Sequence, residues 1–470
     1  MKLLAVTNLY PLPCEPRRGM FNAQLFAALV GQGVELSTIV LVPEWRMWRW
    51  STIRRWDAPY RRAGGGSACA NRLRQGFASQ EATEEKTLDV GVGDGRLPAV
   101  RYVPVFHLPV VGRNMASRFH VWALRRHRAL YEACDAVLAT WLYPDAVAAG
   151  VVAGECGKPF WVKVHGTDRF HMEHPGRRAT IQDVAKDAAG FLPNAQFLAE
   201  YLVEHGIPEQ KVHVVRHGVD RDRFHFRPRE EAAAVLQKVE TQILLSPAGY
   251  SGQVNADECG CEMRKTILYV GNLEHIKGPD RLLHACAHMI RRDESGPPSS
   301  NSFRQGFAGQ EAPMDRDLKT EGHYDLDVVF VGNGSMRGRL EARARDLGVA
   351  GRIHFLGSRP HEEVALWMSV ADCLCLPSRS EGMPNVVMEA LASGCPVAAT
   401  DVGDVKWLLK DGVNGYVVGN SESEVVTDLS RAIGSVLSER WDRGAIAASM
   451  KGQTWEQAAK AIVQRLKGAG

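Results

Sequence analysis

The chain has no cysteine pattern of the kind that builds a zinc or redox site. Its ten cysteines are scattered, and the two close pairs, Cys259/Cys261 and Cys373/Cys375, have one residue between them instead of two. Cys373 and Cys375 alternate along an apolar stretch and read as core thiols, which fits a reduced, cytoplasmic setting. No His-Cys constellation has metal-ligand spacing, so no metal is expected. No segment approaches the run of about 20 apolar residues that a membrane span requires. The apolar part of the opening MKLLAVTNLYP is too short for a signal peptide. Excess charge is also scarce, at +3 overall. Residues 1–220 carry 27 Lys and Arg against 21 Asp and Glu, and the remainder 30 against 33. Such mild asymmetry does not suggest nucleic acid, though it lets the first half hold an anionic substrate or lean on an anionic surface.

What is present is an ordinary globular composition, 45% hydrophobic and 24% charged, long enough for two or three domains. Short apolar runs alternate with helical patterns. Strands are expected at Lys2–Thr7, Val34–Val42, Ala136–Thr140, Phe160–Val164, Gly190–Pro193 and Lys211–Val215, and again at Thr266–Val270, Asp327–Val331, Arg352–Leu356 and Pro396–Thr400. This alternation predicts α/β architecture with parallel sheets covered on both faces. Ligands to such sheets bind beyond the carboxyl ends of the strands. Those ends therefore hold the candidates: Gly19, opening the first helix; His165 and Asp168, in HGTD; Gly271 and Lys277, in GNLEHIKG; and Gly332 and Gly334, in GNGS. Lys277 stands just before a helix, where a cation, a helix dipole and backbone N–H groups can act together on a diphosphate.

The stretch around which the rest is organised is Ser378–Asp401, SRSEGMPNVVMEALASGCPVAATD. Glu381 and Glu389 lie eight positions apart, with a Gly382-Met383-Pro384-Asn385 turn and then Val386 between them. The pattern predicts a loop followed by a helix, with Pro384 at the first helical position. The N–H groups of Met383 and Asn385 to Val387 would then form an anion cradle between two hydroxyl-accepting carboxylates.

EGMPNVVMEALASGCPVAAT resembles, in order and spacing, the E-x7-E signature of the retaining glycosyltransferases of family four. WLYPDAVAAG followed by KPFWVKVHGTD resembles the bacterial exopolysaccharide and teichuronic-acid-type branch. The resemblance implies the GT-B fold, two Rossmann-like domains facing each other across a cleft. The domains would be 1–217 for the acceptor and 218–450 for the donor, with a helix at 451–470 crossing back to the first. It also implies transfer of a hexose-type sugar with retention from a nucleotide diphospho-sugar, UDP- or GDP-linked, with no other cofactor. The acceptor would be a glycan or lipid-linked molecule, in cell-surface polysaccharide synthesis. His165, Lys277 and Glu381 would be the catalytic group. Gly19, Gly271, Gly332, Gly334, Gly382, Met383, Pro384, Asn385, Val386 and Glu389 would bind the donor, Glu389 through the ribose hydroxyls. The family usually places arginine where this chain has Asn272, so a charge is missing there. A non-catalytic nucleotide-sugar-binding scaffold and a GT-B epimerase or hydrolase remain open as alternatives.

Other stretches stand apart from this pattern. Pro43–Arg62 holds four tryptophans and six arginines, a composition suited to an anionic membrane surface, and Arg113–Arg128 is a second basic stretch. The near-identical RQGFASQEA and RQGFAGQEA lie in low-complexity surroundings. Insertions are expected at 63–95, 241–263 and 293–323, disordered in the first and last.

Overall fold

The computed structural model describes residues 1–12, 18–44, 99–106, 115–239, 264–290 and 325–468. The three expected insertions, Cys259/Cys261 and all but the first two residues of the Trp/Arg-rich stretch lie outside the described residues. The chain divides into two compact units, Met1–Gly218 with Trp455–Gly470, and Val219–Thr454.

The first unit is built on β1 (Lys2–Thr7), β2 (Glu35–Glu44), β3 (Ala99–Phe106), β4 (Ala136–Ala139), β5 (Phe160–Val164) and β6 (Gly190–Pro193). All neighbours pair in parallel, in the order β3-β2-β1-β4-β5-β6. The central strands are apolar on both faces, as a sheet covered by helices on both sides requires: Leu3, Leu4, Ala5, Val137, Leu138 and Val162 are all at most 1% exposed. One face is covered by α1 (Met20–Gly31) and the other by α2 (Ala116–Arg125) and α3 (Val147–Glu155), among others.

Two expectations need correcting here. Strand β3 was not anticipated. It carries Pro104, whose missing N–H is tolerated because β3 is the edge of the sheet. Conversely, Lys211–Val215 forms no strand and makes only the isolated bridge Phe191↔Val212. His213 and Val215 do donate to the Phe191 and Pro193 carbonyls, at 2.8 and 2.9 Å. The carbonyl of Val215, however, accepts from the buried Lys163 Nζ rather than from another strand.

The second unit contains β7 (Lys265–Val270), β8 (Leu326–Val331), β9 (Ile353–Gly357), β10 (Cys373–Leu376), β11 (Val397–Thr400) and β12 (Gly415–Val418), in the parallel order β12-β11-β10-β7-β8-β9. Its helices include α4 (Pro279–Ile290), α5 (His361–Val370), α6 (Asn385–Ala392) and α7 (Val425–Ser438). Cys373 and Cys375 are buried in its core, and burial pushes both thiols well above their ordinary range.

The last helix, α8 (Trp455–Lys467), belongs to the first unit. Trp455, Ala458, Ala459, Ile462, Val463 and Leu466 recur at helical spacing and pack into the same core as β1 and α1. Among the described residues no helix is long and apolar enough to cross a membrane. Much of the described part of the second basic stretch is engaged. Arg125 pairs with Glu155, Arg128 pairs with Glu132, and Arg126 lies over the Trp122 ring at 3.2 Å from its centroid.

Candidate active site

In the second unit, the carboxyl ends of β7 and β10 bring Lys277 and Glu381 together. Lys277 closes a short turn, His275–Lys277, just before α4, and Glu381 lies on the loop between β10 and α6. Lys277 Nζ donates to both Glu381 oxygens at 2.8 Å, and Ser378 Oγ donates to Oε1 at 2.7 Å. The Glu381 side chain is only 10% exposed, against 35% for Lys277. The two residues expected to serve diphosphate and sugar are thus each other's partners.

Two arginines outside the predicted set fix these loops. Arg281 is buried and donates to the carbonyls of Pro377 and Ser378, to Asn420 Oδ1 at 2.8 Å and to Glu422 at 2.6 Å. Arg379 grips both Asp280 oxygens at 3.0 and 2.9 Å, the His275 carbonyl at 2.8 Å and Glu422 at 2.8 Å. Burial alone would raise the Asp280 carboxyl, but the Arg379 guanidinium more than offsets this and leaves it below its usual range. The clamp ties the Lys277 loop, the Glu381 loop and the segment after β12 into one frame. Glu274 adds a brace, accepting from the Ser335 N–H at 2.8 Å and hydroxyl at 2.5 Å.

Glu389 is the fifth residue of α6 and is half-buried. Burial pushes it up to about 7, Asp220 pushes the same way, and Arg223 opposes them. Arg223 is itself shared between Asp220 at 3.2 Å and Glu362 at 3.0 Å. Near neutral pH this carboxyl can therefore donate or accept a hydrogen bond.

The start of α6 departs from expectation. Pro384 is the N-cap, with ψ 99°, and Asn385 is the first helical residue. The Val387 N–H is not spare, because it donates to the Pro384 carbonyl at 3.1 Å. The cradle is therefore smaller than predicted. The Met383 side chain is buried in the core, Val386 packs half-buried against it, and the Gly382 carbonyl accepts from Asp404 N–H at 3.0 Å.

The strand-end glycines are explained by the chain's own backbone. A Cβ on Gly332 would stand 1.9 Å from the Gly271 oxygen, and one on Gly334 would stand 2.4 Å from that of Leu273. The loops after β7 and β8 pack backbone on backbone, with Leu273 N–H donating to the Asn333 carbonyl at 3.0 Å. Asn272, beside them, is exposed.

In the first unit, Gly19 is the N-cap of α1, in the left-handed region at φ 60°. A side chain there would collide with the Leu9 backbone at 2.4 Å, so glycine is required to fold the loop after β1 on itself. Asn22 locks the same corner, donating to the Leu9 carbonyl at 2.8 Å and Thr140 Oγ1 at 3.1 Å.

His165 follows β5 and is 5% exposed. Phe21, Trp141 and His217 surround it at ring-centroid distances of 4.8, 5.7 and 5.4 Å. Phe21, on α1, packs against the core of this unit and lines the histidine cluster. Burial holds His165 well below its ordinary pKa, and His217 and Lys163 add to the effect. The imidazole is neutral and hydrogen-bonded to the Thr140 backbone, and its Nε2 has no hydrogen-bond partner among the described residues.

Asp168, one of the strand-end candidates, is a brace. It is fully buried and its oxygens accept from the His165 and Leu142 N–H groups, each at 2.9 Å. Lys163 was also missed. It is 1% exposed, donates to the Leu192 carbonyl at 3.1 Å and to that of Val215, and is pushed down to about 7 by burial. Its place two residues before His165 in an otherwise apolar strand was the available signal.

Comparison with known proteins bears on this geometry. Residues 264–439 match the family model Glycosyl transferases group 1, and residues 72–223 match Glycosyltransferase Family 4. Curated relatives include the D-inositol 3-phosphate glycosyltransferases of Frankia alni, 26% identical over 63% of this chain and 63% of that protein, and of Nocardia farcinica, 28% identical over 57% and 49%. The chain thus spans about half to two thirds of the length of these relatives. Similar solved structures include Anabaena HepE in complex with UDP, 14% identical with a TM-score of 0.61 over the whole of both chains. Sucrose-phosphate synthase from Thermosynechococcus elongatus has the same identity and TM-score, over 100% of this chain and 99% of that one. The two parallel six-stranded units are those of the GT-B fold, and two separate stretches of the chain match models of glycosyltransferase domains.

Proposed function

We propose that the chain transfers a hexose-type sugar from a nucleotide diphospho-sugar to a hydroxyl acceptor, with retention of configuration. The observation that carries this reading is the Lys277–Glu381 pair on adjacent strand-end loops, each beside the start of a helix. A cation for the diphosphate and a carboxylate for sugar hydroxyls stand side by side there. Glu389, on the same helix as the cradle, takes the ribose hydroxyls. UDP is the first nucleotide to test, because HepE binds it; GDP is the second.

In the reaction, the bond from the anomeric carbon to the leaving diphosphate oxygen breaks. The acceptor oxygen bonds to the same face, and its proton passes to the diphosphate. Lys277 and the N-termini of α4 and α6 stabilise the developing negative charge. His165 of the first unit is assigned to a donor or acceptor hydroxyl. Its neutral ring and open Nε2 lone pair suit it to accept an O–H, not to bind an anion. The acceptor classes are a glycan or lipid-linked hydroxyl, as in cell-surface polysaccharide synthesis at the inner membrane face, and an inositol phosphate, as in the names of the curated relatives.

The test is nucleoside diphosphate release from UDP-, GDP- and ADP-sugars, with inositol 3-phosphate or membrane lipid extract added, and NMR of the product anomer. Turnover of one donor that Lys277→Ala and Glu389→Ala abolish, giving a retained anomer, is expected. Tight nucleotide binding without turnover under any acceptor condition would instead favour a non-catalytic binding protein. Turnover without acceptor, giving an altered sugar, would favour an epimerase or hydrolase.

A further inference from the structure

Lys277 and Glu381 cannot each serve the donor while they serve one another. Lys277 spends its charge on Glu381 through two hydrogen bonds, and among the described residues the Glu381 carboxylate has only Ser378 as a further side-chain donor. Resting on the donor-site reading above, we infer that donor binding is an exchange of partners, and that Glu381 discriminates the intact donor from the spent nucleoside diphosphate.

The argument follows from burial. A diphosphate draws Lys277 away from Glu381, leaving a carboxylate that is only 10% exposed with one neutral donor. Stranding a poorly solvated charge is costly. An intact donor repairs the loss, because its sugar hydroxyls donate to Glu381 as the diphosphate takes Lys277. A free nucleoside diphosphate has no sugar and leaves Glu381 stranded. The ion pair thus competes with product but not, in net, with donor, and it re-forms when product leaves. The clamp of Arg281 and Arg379 makes the exchange local, because it holds both loops in place while the two side chains change partners.

The consequence runs against the usual effect of removing a site residue. Glu381→Gln keeps size and hydrogen-bonding capacity but releases Lys277. In calorimetric titrations of the full chain, Glu381→Gln is expected to bind UDP about threefold to tenfold more tightly than wild type, the scale of one partly buried ion pair. Its affinity for UDP-glucose should be unchanged or weaker, so the preference for donor over diphosphate collapses. Ser378→Ala supplies a variant of opposite sign. Without the hydroxyl, Glu381 depends more on Lys277, UDP binding weakens, and the preference for UDP-glucose widens.

If both variants bind UDP as wild type does, or if Glu381→Gln weakens UDP and UDP-glucose equally, the exchange is wrong. Should Glu381→Gln fail to fold by circular dichroism, the Ser378→Ala result alone decides. GDP and ADP with their glucose conjugates are run in parallel. Failure of wild type to bind any of the three nucleotides would overturn the donor-site reading itself, a result distinct from failure of the exchange.

Discussion

The two units share one topology, six parallel strands with candidates at the carboxyl ends, yet their strand-end chemistry is opposite. The second unit is ionic. Lys277 pairs with Glu381, and Arg379, Asp280, Arg281 and Glu422 form a second ionic set beside them, so every one of these side chains is paired. The first unit is dry. His165 is neutral among aromatic rings, Asp145 and Asp168 are fully buried with their pKa values pushed up to about 8 and 7 by desolvation, and Lys163 is pushed down to about 7. The same scaffold holds charge where an anion is expected and suppresses charge where a hydroxyl is expected. The difference lies in the loops and in a few buried side chains, not in the sheets.

The contrast can be broken most severely at its ionic end. Lys277→Ala should lower kcat/KM for the donor by about a hundredfold or more, since it removes the side-chain cation assigned to the leaving diphosphate. His165→Ala should cost about a hundredfold in kcat while leaving the donor Kd within about twofold. Titration calorimetry beside steady-state kinetics separates the two, and a matching loss of donor affinity in both variants would collapse the distinction between the units.

Arg281→Met should lower stability by about 1–3 kcal/mol, because it removes the buried donor to the Pro377 carbonyl and to Asn420 Oδ1. Denaturant melts check this.

A subtler effect is in pH dependence. Burial raises the pKa of native Asp145 to about 8, so between roughly pH 4 and 8 the native state holds more protons than the unfolded chain. Stability should therefore fall as pH rises through that window. Asp145→Asn, which retains an acceptor for the Asn8 N–H that bonds Asp145 at 2.6 Å, should flatten the slope. Lys163 acts with the opposite sign in a different window. Its native pKa of about 7 lies below the ordinary lysine value of 10.5, so stability should rise from pH 7 to about 10.5, and Lys163→Met should remove that rise.

The smallest change expected is a gain. Asn272→Arg places a cation on an exposed loop position beside Gly271 and should tighten nucleoside diphosphate binding by about twofold to fivefold.

Most of the fold was legible because buried parallel strands announce themselves as short apolar runs separated by helical patterns. KLLAVT, FWVKV, CLCL and VAAT lie where their composition placed them. Strand β3 was not legible, because AVRYVPVF has polar residues and a proline that only its edge position excuses. The candidate site was legible as pairs of positions, but not as contacts. The spacing of Glu381 and Glu389 gave no hint that Glu381 faces Lys277, 104 positions away. Nor could it show that Glu389 lies beside Asp220 and Arg223. The arginine clamp escaped for a related reason. Arg379 and Arg281 look like solvated charges until three distant segments converge on them. Gly332 and Gly334 were singled out for a ligand, yet what the structure sets against them is the neighbouring loop, whose backbone leaves no room for a side chain.

The placement of α8 bears on how the chain is made. The first unit's core is finished by residues that come after the whole of the second unit. During synthesis, the apolar surface of β1 and α1 that meets Ile462 and Leu466 must wait while Val219–Thr454 emerges. The usual order, in which the domain translated first also folds first, therefore does not apply cleanly. The second unit can close from a continuous segment, and the first can close only when the last helix arrives. A ribosome stalled short of Trp455 would hold a nascent chain with one finished unit and one unfinished, and the unfinished unit is the part a chaperone would be expected to grip.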